Sequence, residues 1–208
     1  MRKRGLIPIA AGVVLIVSAL LLFAYNRWED HRAGQASERL MLEMKKVLEE
    51  VAEETIPEET LDPELPVVTI DGHDYVGYLE SWDLELKLPV QAQWSYPNLQ
   101  ISPCRESGSS RVEDLIIAAH NYSTHFGKLK TLPIGSVVTF TDMDGIENFY
   151  TIAEIITLDP TKSSVVYDSE YPLVLYTCTP GGETRVVAFC DRITEEEALE
   201  YSERPTFQ

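Results

Sequence analysis

The pattern of hydrophobic and polar positions divides the chain into one long apolar run, a polar connecting segment and a series of short alternating runs. The apolar run covers residues 6–25 and contains no charged residue. About 20 apolar residues in a helix span a hydrocarbon core of roughly 30 Å. Basic residues at positions 2–4 precede the run, so the positive-inside rule predicts that residues 1–5 are cytoplasmic and the rest of the chain extracellular. A cleaved signal peptide is the alternative, although its apolar region is usually shorter, about 7–15 residues.

The connecting segment, residues 26–66, is predicted to hold the following domain away from the membrane. Apolar side chains recur at helical spacing over residues 37–55, which predicts an amphipathic helix. Ser37 is a candidate N-cap of this helix, and Pro57 prevents its continuation. The acidic, proline-rich residues 57–66 suit an extended linker. The whole segment therefore forms a stalk in this prediction.

From residue 67 to residue 194 the pattern changes to short β-rich runs separated by turn residues. The predicted strands cover residues 75–79, 84–90, 114–121, 137–141, 149–158, 173–178 and 184–193. An Asp-x-Asp-Gly sequence at residues 142–145 predicts a hairpin turn rather than a calcium loop, because the rest of an EF-hand motif is missing. Helix is expected near residues 95–99 and a turn near residues 126–132. Seven or eight strands with little helix predict a mainly β, closed or partly closed barrel, followed by an acidic C-terminal tail at residues 195–208.

The net charge and the cysteine count limit the possible partners and chemistry of the protein. The formal net charge of −17 makes nucleic acid an unfavourable partner, because phosphate backbones repel such a surface. We predict no metal and no cofactor. The chain has three cysteines, Cys104, Cys178 and Cys190, and an odd number in an exported protein leaves either one pair and a reactive thiol or three free thiols. Cysteines that only fill space in the core are the plain alternative.

The last predicted hairpin brings a cysteine and an arginine together. Cys178 ends one strand and Arg185 lies near the start of the next, with a Pro-Gly-Gly turn between them. Residues that flank such a loop lie opposite each other, with Cβ atoms about 4.5–5.5 Å apart. The guanidinium would stabilise both a thiolate, which is the nucleophilic form of cysteine, and the oxyanion that forms when a carbonyl is attacked. Period-two alternation places Cys190 on the opposite face from Arg185.

A cysteine nucleophile also needs a group that donates and accepts protons, most often histidine. His120 ends an apolar strand, where a rigid support holds a catalytic side chain. The other three histidines lie beside the membrane run, at the entrance to the first strand and in a loop: His31, His73 and His125. We therefore predict that Cys178, His120 and Arg185 form a catalytic set. A satisfied core histidine and an accidental cysteine–arginine pair are the alternatives.

Three motifs resemble those of the sortases, which are membrane-anchored cysteine transpeptidases of Gram-positive bacteria. Leu175–Cys178 has the L-x-T-C form in which the sortase cysteine strand ends. Thr184–Val187 resembles the strand that carries the sortase arginine, and Ala118–Asn121 resembles the strand end that carries the sortase histidine. The likeness runs in order over about residues 75–193. The L-x-T-C motif is weak by itself, but the three motifs in this order and spacing are specific.

The resemblance implies an eight-stranded sortase β-barrel and cleavage of an LPxTG-like sorting motif near the C-terminus of a secreted protein. It implies that Cys178 forms a thioacyl-enzyme, that His120 transfers protons, and that Arg185 positions the peptide and stabilises the oxyanion. The acceptor would be an amino group of a peptidoglycan precursor, with water as a slow substitute. Arg192 is the competing arginine, but it lies well beyond the level of the cysteine. A cysteine peptidase and a catalytically inert membrane-tethered β-domain that binds a surface protein are the alternatives.

Substrate contacts are expected from the residues around the cysteine strand. The candidates are Val165, Val166 and Tyr167 as an apolar groove, Thr177 as a partner for the peptide backbone, and Asn121 beside the histidine. The alternative for the valines is that they pack their loop against the barrel.

The sortase class stays open between A-like, B-like and D-like. No apolar run follows the domain, unlike in pilus-polymerising sortases, whereas Phe126–Leu129 resembles class B sequences. Cys104 has no role in the resemblance. A disulfide between Cys104 and Cys190, which would leave Cys178 free, is a hypothesis that the sequence does not decide.

Overall fold

The computed structural model describes residues 6–51 and 62–203, in which strands dominate. The helices are α1 (Leu6–Val51), α2 (Tyr96–Leu99), α3 (Ser164–Tyr167) and α4 (Glu195–Ser202). The strands are β1 (Val68–Ile70), β2 (His73–Ser81), β3 (Leu86–Gln91), β4 (Cys104–Ser107), β5 (Leu115–Ala119), β6 (Val137–Asp142), β7 (Glu147–Leu158), β8 (Leu173–Cys178) and β9 (Arg185–Ile193). Short 3-10 turns cover Leu129–Thr131 and Pro160–Lys162. All seven predicted strands are present, whereas β1 and β4 were not predicted.

The strands close into a barrel. Neighbours follow the order β2-β3-β4-β5-β8-β9-β7-β6, and β6 pairs again with β2. This arrangement confirms the predicted closed eight-stranded barrel, with β1 added as a short ninth strand on β2. The pairs β3–β4 and β5–β8 are parallel, and the other pairs of the closed barrel are antiparallel.

Both faces of the wall near the last hairpin are packed. Side chains that alternate along β8 and β9 enter the barrel interior, including Leu173, Leu175 and Ala188. The intervening side chains form a second apolar cluster on the outer face with Val166 of α3. This second cluster holds the connection between β7 and β8 against the outside of the barrel. Both faces of β8 and β9 are therefore buried. The neighbouring β5 is also buried on both faces, as its nearly continuous apolar sequence predicts.

Helix α1 is continuous over Leu6–Val51, so the prediction of a separate helix that begins at Ser37 is wrong. The N-terminal part of α1 exposes its apolar side chains and is long and apolar enough to cross a membrane. The C-terminal part packs on the barrel, where Met44 is buried in a cluster with Tyr75 and Met143. The described part of the expected stalk therefore lies against the domain. Residues 52–61, which include the first half of the predicted linker, fall outside the described residues.

Two polar features lie outside the barrel wall. Asp142 ends β6 and Asp144 lies in the turn that follows, and both carboxylates bind the Arg111 guanidinium. The segment expected as a C-terminal tail contains α4, which begins with a capping box formed by Thr194 and Glu197. The remaining tail, residues 204–208, falls outside the described residues.

Candidate active site

The hairpin formed by β8 and β9 places Cys178 directly opposite Arg185, as Cα partners at the end of the strand pair. The connecting turn contains Gly181 and Gly182 with φ angles of +88° and +76°, a left-handed conformation that glycine adopts without steric cost. The turn is closed by hydrogen bonds from the Thr179 N–H to the Thr184 carbonyl, at 3.0 Å, and from the Gly182 N–H to the Thr179 carbonyl, at 2.8 Å. The positions of the thiol and the guanidinium therefore follow from a closed, short turn.

The strand that leads to His120 runs parallel to the cysteine strand. Ala119 of β5 pairs with Thr177 of β8, so the residues that follow on the two strands, His120 and Cys178, lie side by side. Neighbouring strands lie about 4.8 Å apart, and successive side chains alternate between the two faces. Ala119 and Thr177 are buried, whereas both following residues are half-buried, as expected for the outer face at the barrel end. The Thr177 hydroxyl donates a hydrogen bond to the Ala119 carbonyl at 2.9 Å and ties the two strands together.

His120 lies against a tyrosine ring. The imidazole stacks on Tyr122 with ring centroids 4.0 Å apart and planes 11° apart. Burial lowers the pKa of His120 below its usual value, while interactions with the Asn121 side chain and with the negative charge of Glu29 oppose that shift. The buried Nδ1 atom has no hydrogen-bond partner among the described residues. The imidazole is therefore held by stacking on Tyr122 and by the Asn121 side chain, and burial favours its neutral form more than water does.

The three cysteines differ sharply in access. Cys178 is half-buried, whereas Cys104 and Cys190 have no exposed surface. Burial raises the pKa of Cys104 to about 12 and also raises the pKa of Cys190, so both stay protonated thiols at neutral pH. All three are free thiols, which contradicts the hypothesis of a Cys104–Cys190 disulfide. Cys104 packs with Leu99 outside the barrel interior and Cys190 packs inside it, with β5 and β8 between their strands.

The two candidate arginines lie at opposite ends of β9. The Arg185 guanidinium donates to the carbonyls of Gly182 and Thr184 at 2.9 and 3.1 Å, which uses one of its two Nη atoms. Arg192 pairs with Glu113, with 2.6 Å between Nε and Oε1, and binds neighbouring loops. Seven residues of extended strand separate the two arginines by roughly 23 Å. Only Arg185 lies beside Cys178.

A cavity of about 120 Å³ opens beside Arg185 on the outer face. Its walls come from the end of β7, the connection to β8, and the first residue of β9. The lining residues are Leu158, Asp159, Pro160, Lys162, Ser163, Val166, Tyr167, Tyr176 and Arg185. Tyr176 precedes Cys178 by two residues, so both side chains face the same side of β8. The cavity is therefore continuous with the face that carries the thiol.

Glu106 of β4 connects two tyrosines that line this cavity. One carboxylate oxygen accepts a hydrogen bond from the Tyr176 hydroxyl at 2.6 Å, and the other accepts one from the Tyr167 hydroxyl. The hydrogen bond with Glu106, together with burial, raises the pKa of Tyr167 to about 12. Tyr176 belongs to the strand and Tyr167 to α3, so one carboxylate fastens α3 over the outer face of the sheet.

The predicted substrate residues do not all reach this cavity. Val166 and Tyr167 line it, while Val165 is 42% exposed and is not among the lining residues. Val166 also packs in the outer cluster, as the alternative interpretation of the valines proposed. The predicted contact of the Thr177 side chain with substrate is not supported, because its hydroxyl is buried and already donates to the Ala119 carbonyl. Asn121 lies beside His120, and its side chain raises the pKa of the imidazole, which opposes the effect of burial.

Sequence reasoning missed three residues of this region. Tyr176 could have been found, because it shares the face of Cys178 by simple alternation. Tyr122 stacks on the histidine from only two positions away, but its ring orientation depends on the loop. Glu106 lies in β4, a short polar strand with no alternating signal, and no local pattern connects it to Tyr167.

The sequence of residues 82–193, more than half of the 208-residue chain, matches the family model described as Sortase domain. The chain belongs to the sortase family. Among solved structures, sortase C1 from Streptococcus agalactiae is 26% identical with a TM-score of 0.53, over 61% of this chain and 72% of that chain. The Clostridium perfringens sortase D5 transpeptidase is 22% identical with a TM-score of 0.54, over 72% of this chain and 98% of that chain.

Sortase C from Streptococcus pneumoniae is also similar, at 22% identity and a TM-score of 0.52, over 81% of this sortase and 95% of that chain. At 22% identity, this structure and the D5 structure support the shared fold alone. No curated protein matches the sequence. A class A structure from Corynebacterium diphtheriae aligns as well, with a TM-score of 0.52, so the likeness is to the sortase fold rather than to one class.

Proposed function

We propose that this sortase is a membrane-anchored transpeptidase that cleaves an LPxTG-like sorting motif and transfers the protein to a cell-wall amino group. The Cys178 thiol gives its proton to His120, its sulfur bonds to the carbonyl carbon of the motif threonine, and the carbon–nitrogen bond to the following residue breaks. His120 gives that proton to the leaving amine. An incoming amine then attacks the thioester and the carbon–sulfur bond breaks, while His120 takes up one proton of the amine and returns it to the sulfur to restore the thiol.

The observation that carries this proposal is the meeting of three strand ends at one edge of the barrel. β5 ends before His120, β8 ends at Cys178 and β9 begins at Arg185. Arg185 has N–H groups that are not used by the turn, and a guanidinium at this position would stabilise the oxyanion of the tetrahedral intermediate. Cys178 is the only one of the three thiols that a peptide can reach.

The proposed partners follow from the position of the enzyme. Helix α1 would anchor it in the membrane of a Gram-positive cell, with residues 1–5 cytoplasmic and the barrel extracellular. The substrates would be secreted proteins with a C-terminal sorting motif, and the acceptor would be an amine of a peptidoglycan precursor. The cavity beside Arg185, walled by Val166 and Tyr167, would receive side chains of the motif that precede the scissile bond.

The test uses the full chain in detergent micelles, as wild type and as Cys178→Ala. Each is incubated with a fluorogenic LPxTG-type peptide library, with and without triglycine. We expect cleavage by the wild type, a peptide–triglycine product when the amine is present, and a covalent acyl adduct on Cys178 by intact mass. Cys178→Ala should give none of these signals.

The products separate the alternatives. Cleavage without ligation in the presence of several amines would indicate a cysteine peptidase, in which water is the acceptor. Wild-type protein that neither cleaves nor acylates across the whole library would contradict the proposal and favour a binding domain.

We expect Glu106 to affect substrate binding more than chemistry. Glu106→Ala releases Tyr167 from the sheet and loosens the α3 wall, so KM for the sorting peptide should rise severalfold while kcat changes little. The lost interaction is a charge-assisted hydrogen bond, which contributes about 1.5–3 kcal/mol in proteins and less at a partly exposed site. Initial rates over a range of peptide concentrations measure both constants.

Glu170→Ala is the matched control for this prediction. Glu170 is exposed and lies in the same connection between β7 and β8, so its removal deletes the same charge without releasing α3. An equal rise of KM in both variants would mean that net charge, and not the tyrosine contacts, controls peptide binding.

A further inference from the structure

The loop that follows His120 is bound to helix α1. Both carboxylate oxygens of Asp30 accept hydrogen bonds from this loop: Oδ2 from the Ser123 hydroxyl at 2.5 Å, and Oδ1 from the Thr124 N–H at 3.3 Å. The Thr124 hydroxyl lies 3.0 Å from the Asp30 carbonyl and donates to it. Burial alone would raise the pKa of Asp30, but these hydrogen bonds outweigh it and lower the pKa, so the carboxylate is charged at neutral pH.

The contact is close as well as polar. A Cβ atom at Gly34 would lie 2.9 Å from the Thr124 methyl carbon, so the helix and the loop approach each other at a position where only glycine fits without a shift. One turn further along, the Ser37 hydroxyl lies 3.5 Å from Nε2 of the fully buried His125. This explains why Ser37, a good capping residue, is buried in the middle of a helix. Residues 30–37 of α1 therefore form the surface on which the loop packs.

The loop in turn holds the imidazole. Tyr122 lies between the two histidines, stacked on His120 at 4.0 Å and tilted against His125 at 5.4 Å between ring centroids. The His120 Nδ1 atom has no hydrogen-bond partner among the described residues, and the Asn121 side chain is the hydrogen-bonding group that acts on the imidazole. The orientation of the His120 ring then depends on the stacked Tyr122 as well as on Asn121, and the placement of Tyr122 depends on the loop that Asp30 binds.

We propose that Asp30, at the end of the membrane-length part of α1, is a positioning residue for His120. It acts through Ser123, Thr124 and the stacked Tyr122, and it makes the anchoring helix part of the active-site support. This inference rests on the proposed function only for its kinetic consequence, because the position of the His120 ring is measurable without turnover. In this view α1 not only tethers the enzyme but also fixes its proton-transfer group.

The experiment uses the full chain in detergent micelles with histidine labelled with 13C at Cε1. In the wild type, the Tyr122 ring should shield the His120 Hε1 proton, and Tyr122→Leu defines its unshielded position. We expect Asp30→Ala to move this resonance at least half-way toward the Tyr122→Leu value. Asp30→Asn should move it less, because the amide oxygen still accepts from Thr124. Glu49→Gln, an exposed change on the same helix, should leave it in place.

Activity adds a second measurement. With a cleavable sorting peptide, Asp30→Ala should lower kcat about tenfold with little change in KM, since small misplacements of a catalytic group are costly. Thr124→Val, which keeps the shape of the side chain and removes its hydroxyl, should lower kcat in the same direction. If Asp30→Ala unfolds the protein, the His73 resonance in β2 will also move, and Thr124→Val then decides.

The outcomes separate this inference from the proposed function. A His120 resonance that stays at its wild-type position in Asp30→Ala and in Thr124→Val would overturn the inference, whatever the rates do. A displaced resonance in a protein whose wild type shows no turnover would support the positioning role while the proposed function fails. Equal kinetic losses in Glu49→Gln would also overturn it, because the effect would then belong to the charge of the helix.

Discussion

Replacing Arg185 with alanine should lower kcat/KM for a sorting peptide by about 10²–10³-fold, the usual cost of removing one oxyanion donor. Arg185 is the Cα partner of Cys178, and one Nη atom of its guanidinium donates to two carbonyls of the turn. It is therefore oriented before substrate binds, and its remaining N–H groups need little reorganisation during the reaction. The loss should be mainly in kcat, because the charge on the carbonyl oxygen develops only in the transition state.

Arg185→Lys is the informative companion variant. Lysine keeps the charge but lacks the planar fork, so it cannot hold the turn carbonyls and face the oxyanion in the same way. We expect it to recover only part of the lost rate, measured as initial rates of peptide cleavage. A rate for Arg185→Ala within twofold of wild type would remove the arginine from the mechanism, and a loss confined to KM would make it a binding residue only.

The barrel was predictable because most of its strands carry a strong local pattern. The apolar runs that became β5, β8 and β9 are buried on both faces, and the Asp-Gly turn after β6 marks a hairpin. β1 and β4 were missed because one has three residues and the other reads Cys-Arg-Glu-Ser with a bulge. Closure of the sheet depends on the pairing of β2 with β6, which no local pattern specifies.

The candidate site was predictable where it depends on a hairpin, and not where it depends on distant contacts. Opposite residues of a tight hairpin can be counted along the sequence, and this counting places Arg185 beside Cys178. Asp30 and Thr124 are 94 positions apart, and Glu106 and Tyr167 are 61 apart, so only the folded chain brings them together. Ser37 shows the reverse case, in which a capping preference is overridden by a continuous helix packed on the barrel.

The same packing changes the expected relation between enzyme and membrane. A flexible stalk would let the active site move freely above the bilayer. Instead, Asp30 follows the apolar run by five residues, which is about 8 Å along a helix, and already contacts the loop next to the active site. Tyr25 and Trp28 flank this junction with exposed aromatic rings, which suit a membrane interface. With α1 as the proposed membrane anchor, the site would therefore lie close to the membrane surface.

The largest effect on stability is expected at Arg111. Its guanidinium binds Asp142, with 2.8 Å between Nη2 and Oδ2, and Asp144 at 2.5 Å, and the side chain of Asp142 is completely buried. Arg111→Met would leave that carboxylate buried without a counter-charge, which costs about 3–5 kcal/mol of unfolding free energy. It would also release the backbone carbonyl of Asp62, which Nη1 binds at 2.9 Å. Circular dichroism should show a midpoint lower by about 10 °C.

Two further variants make this prediction specific. Arg39→Met breaks an exposed pair with Asp71, whose side chains are 80% and 59% exposed, and should cost less than about 1 kcal/mol. Adding Asp142→Asn to Arg111→Met should restore part of the stability, because the amide removes the unpaired charge and can still accept the N–H groups of Asp144 and Ile146. Failure of this rescue would mean that Arg111 stabilises the protein through the chain around Asp62 and not by neutralising the buried carboxylate.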